Sequence, residues 1–226
     1  MPKPRKQNAR KTNPRILILC EGKETEPNYF NGLKADKSYH FLSSVDVVVY
    51  DTNKNTAKEL VKEAITLIKE AKREKNPIFE TWVVVDRDGY TKHPHAFDQA
   101  AANDVCIAFS SISFEYWLLL HFEYTTKAFR DCDQLIKHLK DKRFLPGYGK
   151  SSDIYAAVKV NTDTAIEHAR QLRKNCPDLS PSAKPFDIDP YTNVDILVSR
   201  LIHIDTLKDD KGNFRKIFCK PMDYRQ

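Results

Sequence analysis

The chain has 226 residues, 41% of them hydrophobic and 30% charged, enough apolar material for one large domain with a real core. Its net charge of +6 permits an anionic partner without demanding one, and no run approaches the roughly 18 uninterrupted apolar residues of a membrane helix. Five scattered cysteines with no CxxC pair argue against a structural zinc site or a disulfide framework.

The expectation is therefore a cytoplasmic protein with free thiols. The positively charged N-terminus is followed only by a strand-length apolar run, so a secretory signal is not expected. Residues 1–14 read as a flexible basic arm, with Pro2, Pro4 and Pro14 discouraging regular structure. The arm holds Lys3, Arg5, Lys6, Arg10 and Lys11 and no acid, which suits phosphate contacts and equally a solubilising tail.

Arg15 to Cys20 (RILILC) reads as a buried strand, too short for a core helix. Residues 24–35 read as a helix, with Pro27 tolerated near its start. Val45 to Tyr50 is a valine-rich second strand. Thr56 and Glu59 form a capping box, and Leu60, Val61, Ala64, Ile65, Ile68 and Ala71 continue at helical spacing. Phe79 to Val85 is a third strand, 94–103 a short helix, Val105 to Phe109 a fourth strand, and Ser113 to Phe122 an apolar helix.

Apolar strands alternating with helices over 15–125 imply an α/β core: a parallel sheet with helices on both faces. Helices at 128–141, 152–159, 162–174 and 191–204 make 126–226 a mainly helical C-terminal extension packed on that core.

In open parallel sheets, ligands bind beyond the carboxyl ends of the strands. Here the first strand runs into Glu21-Gly22 and the third into Asp86-Arg87-Asp88-Gly89. Paired carboxylates supply hard oxygen ligands for a divalent cation, and the glycines allow close approach. Acids after strands also cap helices or face solvent, and Asp88-Gly89 is a turn signal.

Cys20-Glu21-Gly22-Lys23-Glu24-Thr25-Glu26-Pro27 with Tyr29-Phe30 resembles the opening motif of RloB-like proteins. Val83 to Asp88 resembles their DxD strand, and Phe114 to Phe122 their FExWLLLHF segment. Pro190 to Val194 is similar to their NPxTNV segment, with Asp189 where Asn is expected. The resemblance spans about residues 15–200. It implies a Toprim-type catalytic domain, with Glu21 as general acid/base and Asp86 and Asp88 as ligands of Mg2+ or Mn2+. OLD-type nucleases add a second glutamate and a Ser-x-Glu; Glu26 and Ser113-Phe114-Glu115 resemble these, with Glu24 a rival to Glu26. The resemblance also implies phage-resistance or restriction systems, with a separate ATPase partner. No GxxxxGK[ST] loop occurs in this chain.

Further candidates carry plainer readings. Glu115 can complement the dipole of an apolar helix capped by Ser113, pointing outward. Lys150, in Gly147-Tyr148-Gly149-Lys150, can meet a phosphate or only solvent. Lys23 is a further phosphate contact. Arg87 is expected to point away from the metal, towards a phosphate or a structural acid. His93 and His95 suit a polar loop better than a zinc site, and His121 suits the core.

The resulting expectation is Mg2+-dependent cleavage of nucleic-acid phosphodiesters, DNA or RNA with tRNA among the candidates, without membrane attachment. Nucleotidyl transfer, RNA maturation and a non-catalytic binding or sensor subunit are the alternatives.

Overall fold

The computed structural model describes residues 13–87, 93–149, 151–175, 183–210 and 212–216. Strand β1 (Arg15–Cys20) leads to helix α1 (Thr25–Ala35), then β2 (Asp46–Tyr50), α2 (Ala57–Arg73), β3 (Ile78–Asp86), α3 (His93–Ala102), β4 (Cys106–Ser110) and α4 (Glu115–Leu120). Helices α5 (Cys132–Asp141), α6 (Ile154–Val158), α7 (Thr162–Lys174) and α8 (Val194–Ile202) follow. The fold is α/β: among the described residues, four all-parallel strands in the order β2-β1-β3-β4 are surrounded by these helices.

The two-residue alternation of strands sorts the core into two layers. Ile16, Ile18 and Cys20 face the same side as Trp82, Val84 and Ala108, beneath α1, α4 and α5 to α8. Leu17, Leu19, Val83, Val85, Ile107 and Phe109 face the other side, beneath α2 and α3. Both faces are covered, which is why Ile16–Cys20 of β1, Trp82–Val85 of β3 and Cys106–Phe109 of β4 run apolar rather than alternating. The helices after residue 126 thus complete one side of the sheet, and their apolar residues join the same cluster as β1 and β3.

Local chemistry sets most boundaries. Thr56 caps α2 by accepting the Glu59 N–H, while the Glu59 carboxylate accepts the Thr56 hydroxyl rather than the Thr56 N–H, so one half of the expected capping box forms. Asp131 accepts the Gln134 N–H at 2.8 Å, so α5 starts at Cys132 rather than at 128. A 3-10 segment over Lys37–Ser44, kinked at Tyr39, has no counterpart in the sequence pattern. Ser113 does not cap α4. Phe114 holds the cap position in a helical conformation, and the Ser113 hydroxyl is buried without a partner.

The C-terminal segment is stitched to the open edge of β4. The Asn193 side chain accepts the Phe109 N–H at 2.6 Å and donates to the Ile107 carbonyl at 3.1 Å. Thr192 forms an antiparallel bridge with Ser110, and Ser111 N–H donates to the Tyr191 carbonyl at 2.7 Å. Arg173 then holds the segment from outside, donating to the Thr192 carbonyl and, through both arms of its guanidinium, to Asp195. The Pro190 to Val194 motif therefore has a structural role: it satisfies backbone groups that an edge strand would leave bare.

One thiol expectation fails. Cys20 and Cys132 are free, but Cys106 on β4 is disulfide-bonded. Spacing along the chain excludes CxxC motifs but not a pairing between cysteines far apart in sequence.

Candidate active site: an acidic cleft at the sheet switch point

β1 leads through α1 to β2 on one side, and α2 then carries the chain from β2 back past β1 to β3 on the other, so the direction of strand addition reverses between β1 and β3. That switch point opens a crevice at the carboxyl ends of the two strands. The Glu21 N–H donates to the Val84 carbonyl at 3.0 Å, extending the ladder one residue past β1. The Glu21 carboxylate in turn accepts the Asp86 N–H at 3.0 Å. Adjacent parallel strands thus bring together two acids 65 residues apart.

Two more acids enter from helix starts. Glu26 sits in the first turn of α1, only 4% exposed, with its carboxylate folded back onto Gly22. A Cβ at Gly22 would stand 2.1 Å from Glu26 Oε2, so the glycine is what admits that carboxylate. Glu115, first in α4 and 3% exposed, points inward. Tyr148 donates its hydroxyl to Glu115 Oε1 at 2.6 Å and lies 3.2 Å from the Thr25 hydroxyl, while the Cys132 thiol reaches Glu115 Oε2 at 3.6 Å. The turn that delivers α4 is strained: Ile112 has φ 68°, a left-handed conformation that a β-branched residue adopts at a cost of about 1–3 kcal/mol. Ser111 pins it, donating its N–H to Tyr191 and its hydroxyl to Ile188.

The four carboxylates line one cavity of about 500 Å³, with Lys23, Glu24, Thr25, Asn55, Ser113 and Cys132. Burial first, then the charges of Glu26, Glu115 and Glu21, push the Asp86 carboxyl well above the ordinary carboxylate range, against the pull of the Phe114 N–H. The Cys20 thiol is driven up by its burial and by Glu26 and Asp86. Asp86 Oδ1 is buried without a hydrogen-bond partner. An acceptor left bare among like charges suits a cation in the cleft, and the donor set is the all-oxygen kind that magnesium and manganese take. Among the described residues, no three His, Cys, Asp or Glu side chains already stand as a metal-holding group, and Asp88 lies outside them.

Of the residues singled out by sequence, Glu21, Glu26, Asp86 and Glu115 meet in this cleft. Lys23 is exposed at its rim. Glu24 also reaches the lining but is exposed, in the cap position of α1, whereas Glu26 is buried. Asp88, Lys150 and the arm residues Lys3, Arg5, Lys6, Arg10 and Lys11 lie outside the described residues. Glu115 corrects the outward-pointing reading: a partner hydroxyl from Tyr148 and the cleft itself hold it in. Arg87 turns to a structural acid, pairing with Asp189 at 3.0 Å.

His93 and His95 are not in a polar loop. They lie in the first turn of α3, His93 buried and stacked on Phe186, His95 exposed. His121 is a core residue, its Nδ1 3.0 Å from the Trp117 carbonyl. Sequence reasoning missed Tyr148, Thr25 and Cys132. The only signal was the placement of Tyr148 in the glycine-flanked loop that drew attention to Lys150.

A family model described as RloB-like protein matches residues 16–201. No curated protein and no solved structure matches the chain.

Proposed function

The chain belongs to the RloB-like family, and we propose that it is a Toprim-type, metal-dependent phosphodiesterase acting on nucleic acid in anti-phage defence, in the cytoplasm and beside a separate ATPase. The observation that carries this reading is the convergence of four carboxylates from four chain segments on one cleft, with Asp86 Oδ1 buried there and unpartnered. Fold alone would not support it, because α/β sheets host many chemistries. No helix among the described residues is long and apolar enough to cross a membrane.

Asp86 and Asp88, with Glu26 and Glu115, would hold the divalent cation. When bound, Mg2+ or Mn2+ supplies polarisation of the phosphoryl oxygen and activation of water. Glu21 is the proton-moving group: its carboxylate is fixed by the Asp86 N–H while still lining the cavity. Lys23 at the rim meets a backbone phosphate, with the N-terminal arm and Lys150 adding contacts that weaken as salt rises. Tyr148 keeps Glu115 oriented.

The test is cleavage of labelled single- and double-stranded DNA, RNA and tRNA by the protein with its ATPase partner, with Mg2+ or Mn2+ and with chelator. The wild type cleaves only with metal, and Asp86→Asn, folded by circular dichroism, loses at least a hundredfold. Equal cleavage by the variant removes Asp86 from the chemistry and the reading with it.

A second reading is a non-catalytic nucleic-acid-binding or sensor subunit, whose acids serve binding alone. It requires phage protection to survive both Glu21→Gln and Asp86→Asn. Nucleotidyl transfer would instead yield new polymer on incubation with nucleoside triphosphates, and an RNA-maturation role would show as trimmed cellular RNA.

A further inference from the structure

A second cavity of about 340 Å³ opens at the carboxyl ends of β1 and β2, lined by Cys20, Pro27, Asn28, Asn31, Val49 and Thr52, among others. It shares Gly22 and Lys23 with the acidic cleft. The two spaces therefore adjoin across a single stretch of backbone.

The chemistry of this second space differs from that of the first. Asn28 and Asn31 are three apart on α1, so both project from one face of the helix. Among the described residues neither carboxamide has a hydrogen-bond partner. Half-buried Pro27 and Val49 supply apolar wall beside them. The Thr52 hydroxyl is already committed, donating to Glu63 and accepting the Lys54 N–H at 3.0 Å. The charged groups of the lining are Lys23 and Asp51, one of each sign. A phosphate inside the pocket would face Asp51 with only the rim ammonium to balance it. A neutral ligand rich in donors and acceptors meets no such penalty.

We propose that this pocket is a nucleoside subsite: it takes the base and sugar of the nucleotide next to the phosphate bound in the acidic cleft, with Asn28 and Asn31 reading a polar edge and Lys23 at the junction holding the phosphate. The inference rests on the phosphodiesterase reading for the identity of the neighbouring phosphate. Its physical basis is independent: carboxamides carry donor and acceptor together and pair with the edges of unstacked bases. The volume lies in the range of small-ligand pockets and leaves room for one nucleoside. A base can reach such a pocket only when unpaired, so the subsite favours single-stranded or locally opened substrate.

The test is binding of nucleoside 5′-monophosphates, ribo and deoxy, to the full chain by calorimetry, with ribose 5-phosphate and inorganic phosphate as controls. Asn28→Ala and Asn31→Ala are made singly and together; neither residue is packed in the core, and circular dichroism checks the fold. At least one monophosphate should bind more tightly than ribose 5-phosphate. The double variant should lose about tenfold of that affinity while its affinity for the sugar phosphate stays unchanged. Absence of monophosphate binding, equal affinity for ribose 5-phosphate, or full affinity in the double variant each overturns the subsite.

Short oligonucleotides separate this failure from failure of the parent reading. Metal-dependent cleavage whose rate and base preference are untouched in the double variant leaves the nuclease standing and sinks the subsite. Monophosphate binding lost in the double variant, with no cleavage by wild type and its partner, sinks the nuclease and keeps a nucleoside pocket.

Discussion

Tyr148 donates its hydroxyl to Glu115 at 2.6 Å, joining two residues 33 apart in the chain inside the acidic cleft. A hydrogen bond to an ionised group contributes about 1.5–3 kcal/mol, more than a neutral pair. Tyr148→Phe should therefore weaken Mn2+ binding about tenfold, measured by the electron paramagnetic resonance signal of free Mn2+. Added to Glu115→Gln, it should weaken binding no further. Additive losses would mean that Tyr148 only fills space.

Gly22→Ala tests how Glu26 is admitted. The new Cβ would meet the Glu26 carboxylate at 2.1 Å and force it out of the cleft. Cleavage should fall at least as far as in Glu26→Gln, with stability lowered by roughly 1 kcal/mol. Glu24→Gln, changing an exposed side chain, should cost less than about threefold. If Glu24→Gln is the more damaging of the two glutamine variants, the second acid has been misassigned.

Asn193→Ala tests the stitched edge. It strips partners from the Phe109 N–H and the Ile107 carbonyl, both on a buried strand. Each unsatisfied buried group costs about 1–3 kcal/mol, so denaturant unfolding should show a loss of about 2–5 kcal/mol. A loss below about 1 kcal/mol would mean that water or a shifted backbone replaces the side chain.

His121 predicts a pH dependence of stability. Burial holds its imidazole down to about 4, from an ordinary value of 6.5. The unfolded chain takes up the proton first as pH falls. The stability contributed by neutral His121 is thus complete above 6.5 and is lost as pH falls through about 4. The full change is on the order of 3 kcal/mol. Urea unfolding at steps from pH 7.5 to 4 should show this decline, and His121→Gln should flatten the part between 6.5 and 4.5. An unchanged slope in the variant would assign the acid loss to other groups.

Much of the architecture was legible before folding was considered. β1 was bounded at Arg15 and Cys20, and α7 at 162 and 174, because buried strands and amphipathic helices write their periods into the sequence. Capping at Thr56 was readable because it involves neighbours only. Ser113 was misread for the converse reason: whether a serine caps or lies buried depends on where the preceding turn points, and Ile112 turns it into the cleft wall.

The cleft shows the same division. By itself the sequence determined that acids follow two strands, and that motif order resembles one family. Only the tertiary structure decided that Glu21 and Asp86 share a hydrogen bond, that Glu26 rather than Glu24 is buried, and that Glu115 turns inward onto Tyr148. It alone put Asn28 and Asn31 around a second cavity and Cys106 in a disulfide. The physical reason is range. Propensity, capping and periodicity act over a few residues, whereas charge coupling, burial and cavities depend on which strands become neighbours, and the crossing from β2 past β1 to β3 sets that.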